Sequence, residues 1–132
     1  MLYQVAEKVL SVPYVLNGFD LSGWDCRGLV SWCRATWLGL PSPSLDGWYP
    51  VEQANDRRFV EAAIKARLDA WVVGDRKPGS VALFDVGGRV SHVALMLDDH
   101  NFLHTRESYN TCVDSLHQKK WLRRFQGAYE LR

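Results

Sequence analysis

Two β-rich runs, SVALFDV (Ser80–Val86) and RVSHVALML (Arg89–Leu97), meet at Gly87-Gly88. A Gly-Gly pair between two such runs is a strong hairpin signal, because the tight turns that match strand twist need positive φ at the central residues. The second half of the chain is therefore expected to build an antiparallel sheet. A turn at Asp98–His100 leads to a third strand over Asn101–Arg106. Residues 111–116 offer a fourth, 118–125 read as a helix, and GAYELR reads as a closing strand. The first half has a different period. Leu29, Val30, Cys33, Trp37 and Leu40 recur at helical spacing with Pro41 as a stop, which predicts an amphipathic helix over 26–38. A short helix is expected over 2–10, before Ser11-Val12-Pro13, and another over about 52–69 with Val60, Ala63, Ile64 and Leu68 on one stripe. Residues 14–25, with Asn-Gly and Gly23, and the proline-rich 41–50, with Trp48-Tyr49, read as loops. Helices first and antiparallel strands after them define an α+β class. At 132 residues the chain is expected to form one domain, 1–132, around one core.

Charge removes one class of function. Sixteen basic residues against fifteen acidic ones leave a formal charge of +1, and a clustered basic excess is what nucleic-acid binding needs. The pairs Lys119-Lys120 and Arg123-Arg124 read as a solvated helix face. No apolar run approaches the ~20 residues that span a bilayer. The opening MLYQVAEKVL does not read as a signal peptide, so synthesis in a bacterial cytoplasm is expected. The three cysteines, Cys26, Cys33 and Cys112, form neither a CxxC pair nor a disulfide framework. Free thiols are expected, with no structural zinc and no cofactor.

Cys26 stands where a glycine-containing loop becomes a helix. A helix N-terminus favours a thiolate, and its N–H groups are donors for an oxyanion. Gly28 just after it would let a substrate backbone approach. His92 lies inside an apolar strand, on the face of Ala94 and Met96 and opposite Val93, Leu95 and Leu97. A histidine there is either a satisfied buried polar group or a base, and small Ala94 would leave room for an incoming helix end. Two residues compete to orient it, His104 on the next strand and Asp85 on the preceding one. A three-residue turn puts His92 and His104 on one face, and a two-residue turn does not. His100 and His117 read as surface residues.

These residues carry a resemblance. The stretch PYVLNGFDLSGWDCRGLV resembles the nucleophile region of the NlpC-type peptidoglycan endopeptidases, where Pro-Tyr, a glycine-containing loop and Asp-Cys-Ser-Gly-(Leu/Phe)-Val recur. The stretch KPGSVALF, followed by SHVALMLDDHNFLHT, is similar to that family's Pro-Gly-Asp, His-Val-Gly and Phe-(Ile/Val)-His elements, in the same order. The closing WLRRFQGAYELR is similar to the end of small phage-encoded members found beside tail genes.

The resemblance implies a papain-like fold and a thiolate–imidazolium pair of Cys26 and His92 oriented by His104. It also implies that Tyr14 assists the oxyanion and that Asp25 helps hold the substrate's amine. The implied substrates are peptidoglycan stem peptides, typically cut between D-glutamate and the diamino acid, and the implied partners are phage tail-tip proteins, with the protein carried on the virion. Three positions depart from the pattern: Arg27 in place of serine, Ser80 in place of an acid and Ala94 in place of glycine. A cation at Arg27 favours a carboxylate-rich peptide. The rival readings are a silent structural module of a phage tail, a thiol amidase or acyltransferase on the same fold, and a metal site built from Cys26, His92, His104 and Cys112.

Overall fold

The computed structural model describes residues 2–40, 61 and 71–131. In chain order its elements are α1 (Leu2–Glu7), β1 (Phe19–Asp20), β2 (Gly23–Trp24), α2 (Cys26–Leu38), β3 (Trp71–Gly74), β4 (Val81–Val86), β5 (Arg89–Met96), β6 (Asn101–His104), β7 (Cys112–Ser115), α3 (Lys119–Leu122) and β8 (Phe125–Leu131). The expected loop 41–50 lies outside the described residues. So does the helix expected over 52–69, except for Glu61, which is helical. No helix among the described residues is long and apolar enough to cross a membrane.

The strands after β2 form one six-stranded sheet in the order β3-β8-β4-β5-β6-β7, with antiparallel neighbours throughout. Its central hairpin is β4–β5, closed by Gly87 and Gly88 at φ 65° and 86° with Val86 opposite Arg89. Positive φ at both positions is what the two-residue turn demands, so the sequence signal and the geometry coincide. The next connection is the three-residue turn. Leu97 N–H donates to the Asn101 carbonyl at 2.8 Å, and Asp98 Oδ1 takes the N–H groups of His100 and Asn101 at 2.9 and 2.7 Å.

Both faces of the sheet are covered, because its strands alternate two sets of apolar side chains. Val81, Leu83, Val93, Leu95 and Leu103 face α2 and pack with Leu29, Val30 and Cys33. Ala82, Phe84, Ala94, Met96 and Phe102 form the other layer with Leu116 and Trp121. Ala94 therefore lies on the face away from α2, and its small side chain does not make room for that helix. It stands opposite the space that His104 enters instead, since the pairs Leu95–Leu103 and Met96–Phe102 set His104 across from Ala94.

Candidate active site

Helix α2 begins at Cys26 because Asp25 caps it. The Asp25 carboxylate accepts from Gly28 N at 2.9 Å and from Asn17 N at 3.0 Å, and it pairs with Arg27 Nη2 at 2.8 Å. Asp25 is 1% exposed and engaged inside the protein, so its observed work is to hold the nucleophile's helix and the Asn17 loop together. Gly28 also has an internal reason. A Cβ there would lie 2.0 Å from the Gly18 carbonyl oxygen, so the glycine lets the loop before β1 approach the helix.

Cys26 Sγ accepts the backbone N–H groups of Val93 and Arg27, and Arg27 Nη1 lies 3.7 Å away. Among the described residues, strand β5 pairs with β6 at Leu95 and Met96, and the start of α2 meets the part of β5 before them. Burial pushes the Cys26 thiol up from its ordinary value, with Arg27 pulling it back only in part. Desolvation disfavours the charged form more strongly.

His92 is buried, and its Nε2 lies 2.8 Å from Nδ1 of His104. The three-residue turn puts the two histidines on one face, and a register shift in β5 beside Phe84–Asp85 re-aims this end of the strand. His104 Nε2 lies 2.7 Å from Oδ2 of Asp114 on β7. Of the two candidate orienters, the structure brings His104 to His92. Asp85 Oδ1 accepts from Gly88 N at 2.9 Å in the hairpin turn. Burial, then His104, Arg27 and Arg106, hold His92 well below its usual value. Burial thus acts on both members of the pair in the direction of the neutral form, up for the thiol and down for the imidazole.

Cys26, Arg27, His92 and Tyr14 line one cavity of about 440 Å³. Tyr14 is held by bridges from Pro13 to Asn110 and from Tyr14 to Trp24. Burial and the nearby Cys26 and Asp25 raise its hydroxyl to about 12, so it stays a donor. Arg106, Arg124 and Trp121 complete the wall and were not identifiable beforehand. Thr105 Oγ1, Arg106 Nε and Trp121 Nε1 are buried there and find no hydrogen-bond partner among the described residues. His100 and His117 stack on each other away from the cavity, with ring centroids 4.2 Å apart. Among the described residues, the groups considered for a metal do not assemble as Cys26, His92, His104 and Cys112. His104, Cys112 and Asp114 do come within 4.8 Å of one another, but the 2.7 Å His104–Asp114 contact is hydrogen-bond length, whereas two ligands of one zinc stand roughly 3.3 Å apart.

A cysteine opening a capped helix, set against an antiparallel sheet that carries a histidine, is the papain-like arrangement. The chain belongs to the NlpC/P60 family, whose profile matches residues 11–130. It is 26% identical over 133 residues to the gamma-DL-glutamyl hydrolase of Bacillus subtilis (strain 168), covering 94% of this chain and 27% of that protein. It is 29% identical over 100 residues to Protein P54 of Enterococcus faecium, covering 75% of this chain and 16% of that one. The chain thus spans only 27% and 16% of these relatives' length. Among solved structures, an NlpC/P60 family protein from Bacillus cereus ATCC 10987 superposes with a TM-score of 0.66 at 20% identity, over 96% of this chain and 38% of that one. The NlpC/p60 domain of the peptidoglycan hydrolase SagA gives a TM-score of 0.59 at 17% identity, over 98% and 94%.

Proposed function

We propose that the chain is a cysteine endopeptidase that hydrolyses an amide bond in peptidoglycan stem peptides. The observation that carries this reading is the common cavity of Cys26 and His92, with the Nε2 of His92 already engaged by His104. That engagement leaves Nδ1 as the nitrogen that serves the thiol. His92 takes the Cys26 proton as the sulfur attacks the amide carbonyl. The oxyanion rests on the Cys26 N–H, one of the donors that a first helical turn leaves unpaired, and on the Tyr14 hydroxyl. His92 then protonates the leaving amine, and it next activates the water that cleaves the thioester.

Arg27, Arg106 and Arg124 line the cavity against one lining carboxylate, Glu107. That balance favours a peptide bearing free carboxylates, in keeping with the similarity to a gamma-DL-glutamyl hydrolase and to a peptidoglycan hydrolase. Carriage on a phage tail rests on the likeness of the closing segment WLRRFQGAYELR alone, and proteomics of purified virions tests it.

Mass spectrometry of peptidoglycan fragments, incubated with the protein or with Cys26→Ala, tests the main reading. New stem-peptide products from the unaltered protein alone are expected. Release of intact stem peptide from the sugar would make the protein an amidase, and no cleavage with an unreactive Cys26 would make it a structural module.

A further inference from the structure

The proposed mechanism uses Cys26, His92 and His104 and gives Asp114 no task, yet Asp114 ends a row of polar contacts that starts at the base. The register explains the row. His104 stands opposite Cys112, and Phe102 opposite Asp114, so His92, His104 and Asp114 share one face of three successive strands. Each is diagonal to the next, a spacing of ~7–8 Å between backbones that long side chains close.

Hydrogen-bond chemistry assigns the protons along this row. An ionised carboxylate only accepts, so the 2.7 Å contact requires the proton of His104 on Nε2. A neutral imidazole holds one N–H, which leaves Nδ1 of His104 as an acceptor. The 2.8 Å contact then requires the proton of His92 on Nε2. The lone pair of His92 is therefore on Nδ1. We infer that Asp114 is a positioning residue that, acting through His104, fixes His92 in the tautomer whose Nδ1 can take the proton of Cys26.

The surroundings of Asp114 keep it in the accepting form. The His104 hydrogen bond first, and Lys120 and the Cys112 thiol after it, hold its carboxyl below the usual range against the pull of burial. Cys112 Sγ lies 3.7 Å from the same oxygen and donates to it. Burial holds His104 below its ordinary value too, with Arg106 and Lys120 acting in the same direction and Asp114 opposing. When His92 takes the proton, its imidazolium points through two hydrogen bonds at a carboxylate. Arg27 and Arg106 oppose that charge, and Asp114 is the anion that offsets them.

The inference rests on the reading of His92 as the base for Cys26, and its test does not need a substrate. In protein with 15N-labelled histidine, the ring nitrogen shifts and their couplings to ring protons identify each tautomer. The unaltered protein should show His92 and His104 protonated on Nε2. In Asp114→Asn the amide N–H can donate to His104 Nε2, which reverses the row and puts both protons on Nδ1. Where a carboxylate orients a catalytic histidine, the matching asparagine costs about 10⁴ in kcat. Here a loss of at least about 100-fold in kcat with little change in KM is expected. Asp114→Glu should restore the Nε2–H form. Unchanged tautomers in Asp114→Asn, or Nδ1–H rings in the unaltered protein, overturn the inference. Correct tautomers without any peptide cleavage would uphold it and remove the proposed function instead.

Discussion

At the scale of single residues the site is governed by desolvation, and the charges around it modulate that effect. Burial raises the Cys26 thiol, and Arg27 is the largest influence in the other direction. Arg27→Met should therefore move the pH profile of Cys26 alkylation to higher pH, read as iodoacetamide modification by mass spectrometry. A profile that stays in place would show that Arg27 does not reach the sulfur. For His92 the sign is opposite. Burial and the neighbouring cations favour the neutral ring, so it remains a base at acidities where an ordinary imidazole is already protonated. The acid limb of kcat/KM should accordingly lie below pH ~6.5. A limb at or above that value would mean that substrate binding removes the desolvation.

Cys26, His92 and His104 were legible in the sequence because each stands in a short ordered motif. The choice between His104 and Asp85 was not, since it depends on the length of the turn after β5. Asp114 lay further out of reach. It meets His104 only through the β6–β7 register, and the residues between those strands contain nothing that sets a register from sequence. Trp121 enters the cavity from between two basic pairs that read as a solvated helix face, and Arg106 from the end of an expected strand.

At the scale of elements, agreement follows the strength of the end signals. The helix expected over 26–38 is observed as Cys26–Leu38, bounded by an aspartate cap and by Gly39 in the left-handed conformation. Strand β3 has no such marks and is recognised only by its pairing with β8. The pair β1–β2 is two residues a side, too short for any periodicity. The residue just before that pair nevertheless bears on the nucleophile's helix, since the Gly18 carbonyl sits against Gly28. Gly28→Ala must push the loop before β1 away from α2 and should cost about 2 kcal/mol of stability, measured by urea denaturation. Unchanged stability would show that the loop yields freely.

For the whole molecule, the decisive feature is a sheet covered on both faces. Phe84 lies at the centre of the layer away from α2, with ring centroids 4.9 Å from Phe102, 5.4 Å from Trp121 and 5.9 Å from His92. Phe84→Ala should cost about 3–4 kcal/mol and also free the His92 ring, so its effect on kcat should exceed that of an equally destabilising change in the α2 layer, such as Leu29→Ala. Equal effects would mean that the imidazole is held by hydrogen bonds alone. The general architecture was readable from the switch between helical and strand periods. The two-layer division was not, because α3, four residues long, supplies Trp121 to the second layer and is too short to announce itself.

The row from His92 through His104 to Asp114 draws on three consecutive strands, all of which follow the nucleophile in the chain. A ribosome delivers residues in that order, and a domain generally folds as a unit. The reactive thiol therefore leaves the ribosome well before its base, and the anion that orients that base comes later still. On the proposed mechanism, Cys26 therefore stays an ordinary cysteine until β5, β6 and β7 have followed it out and folded.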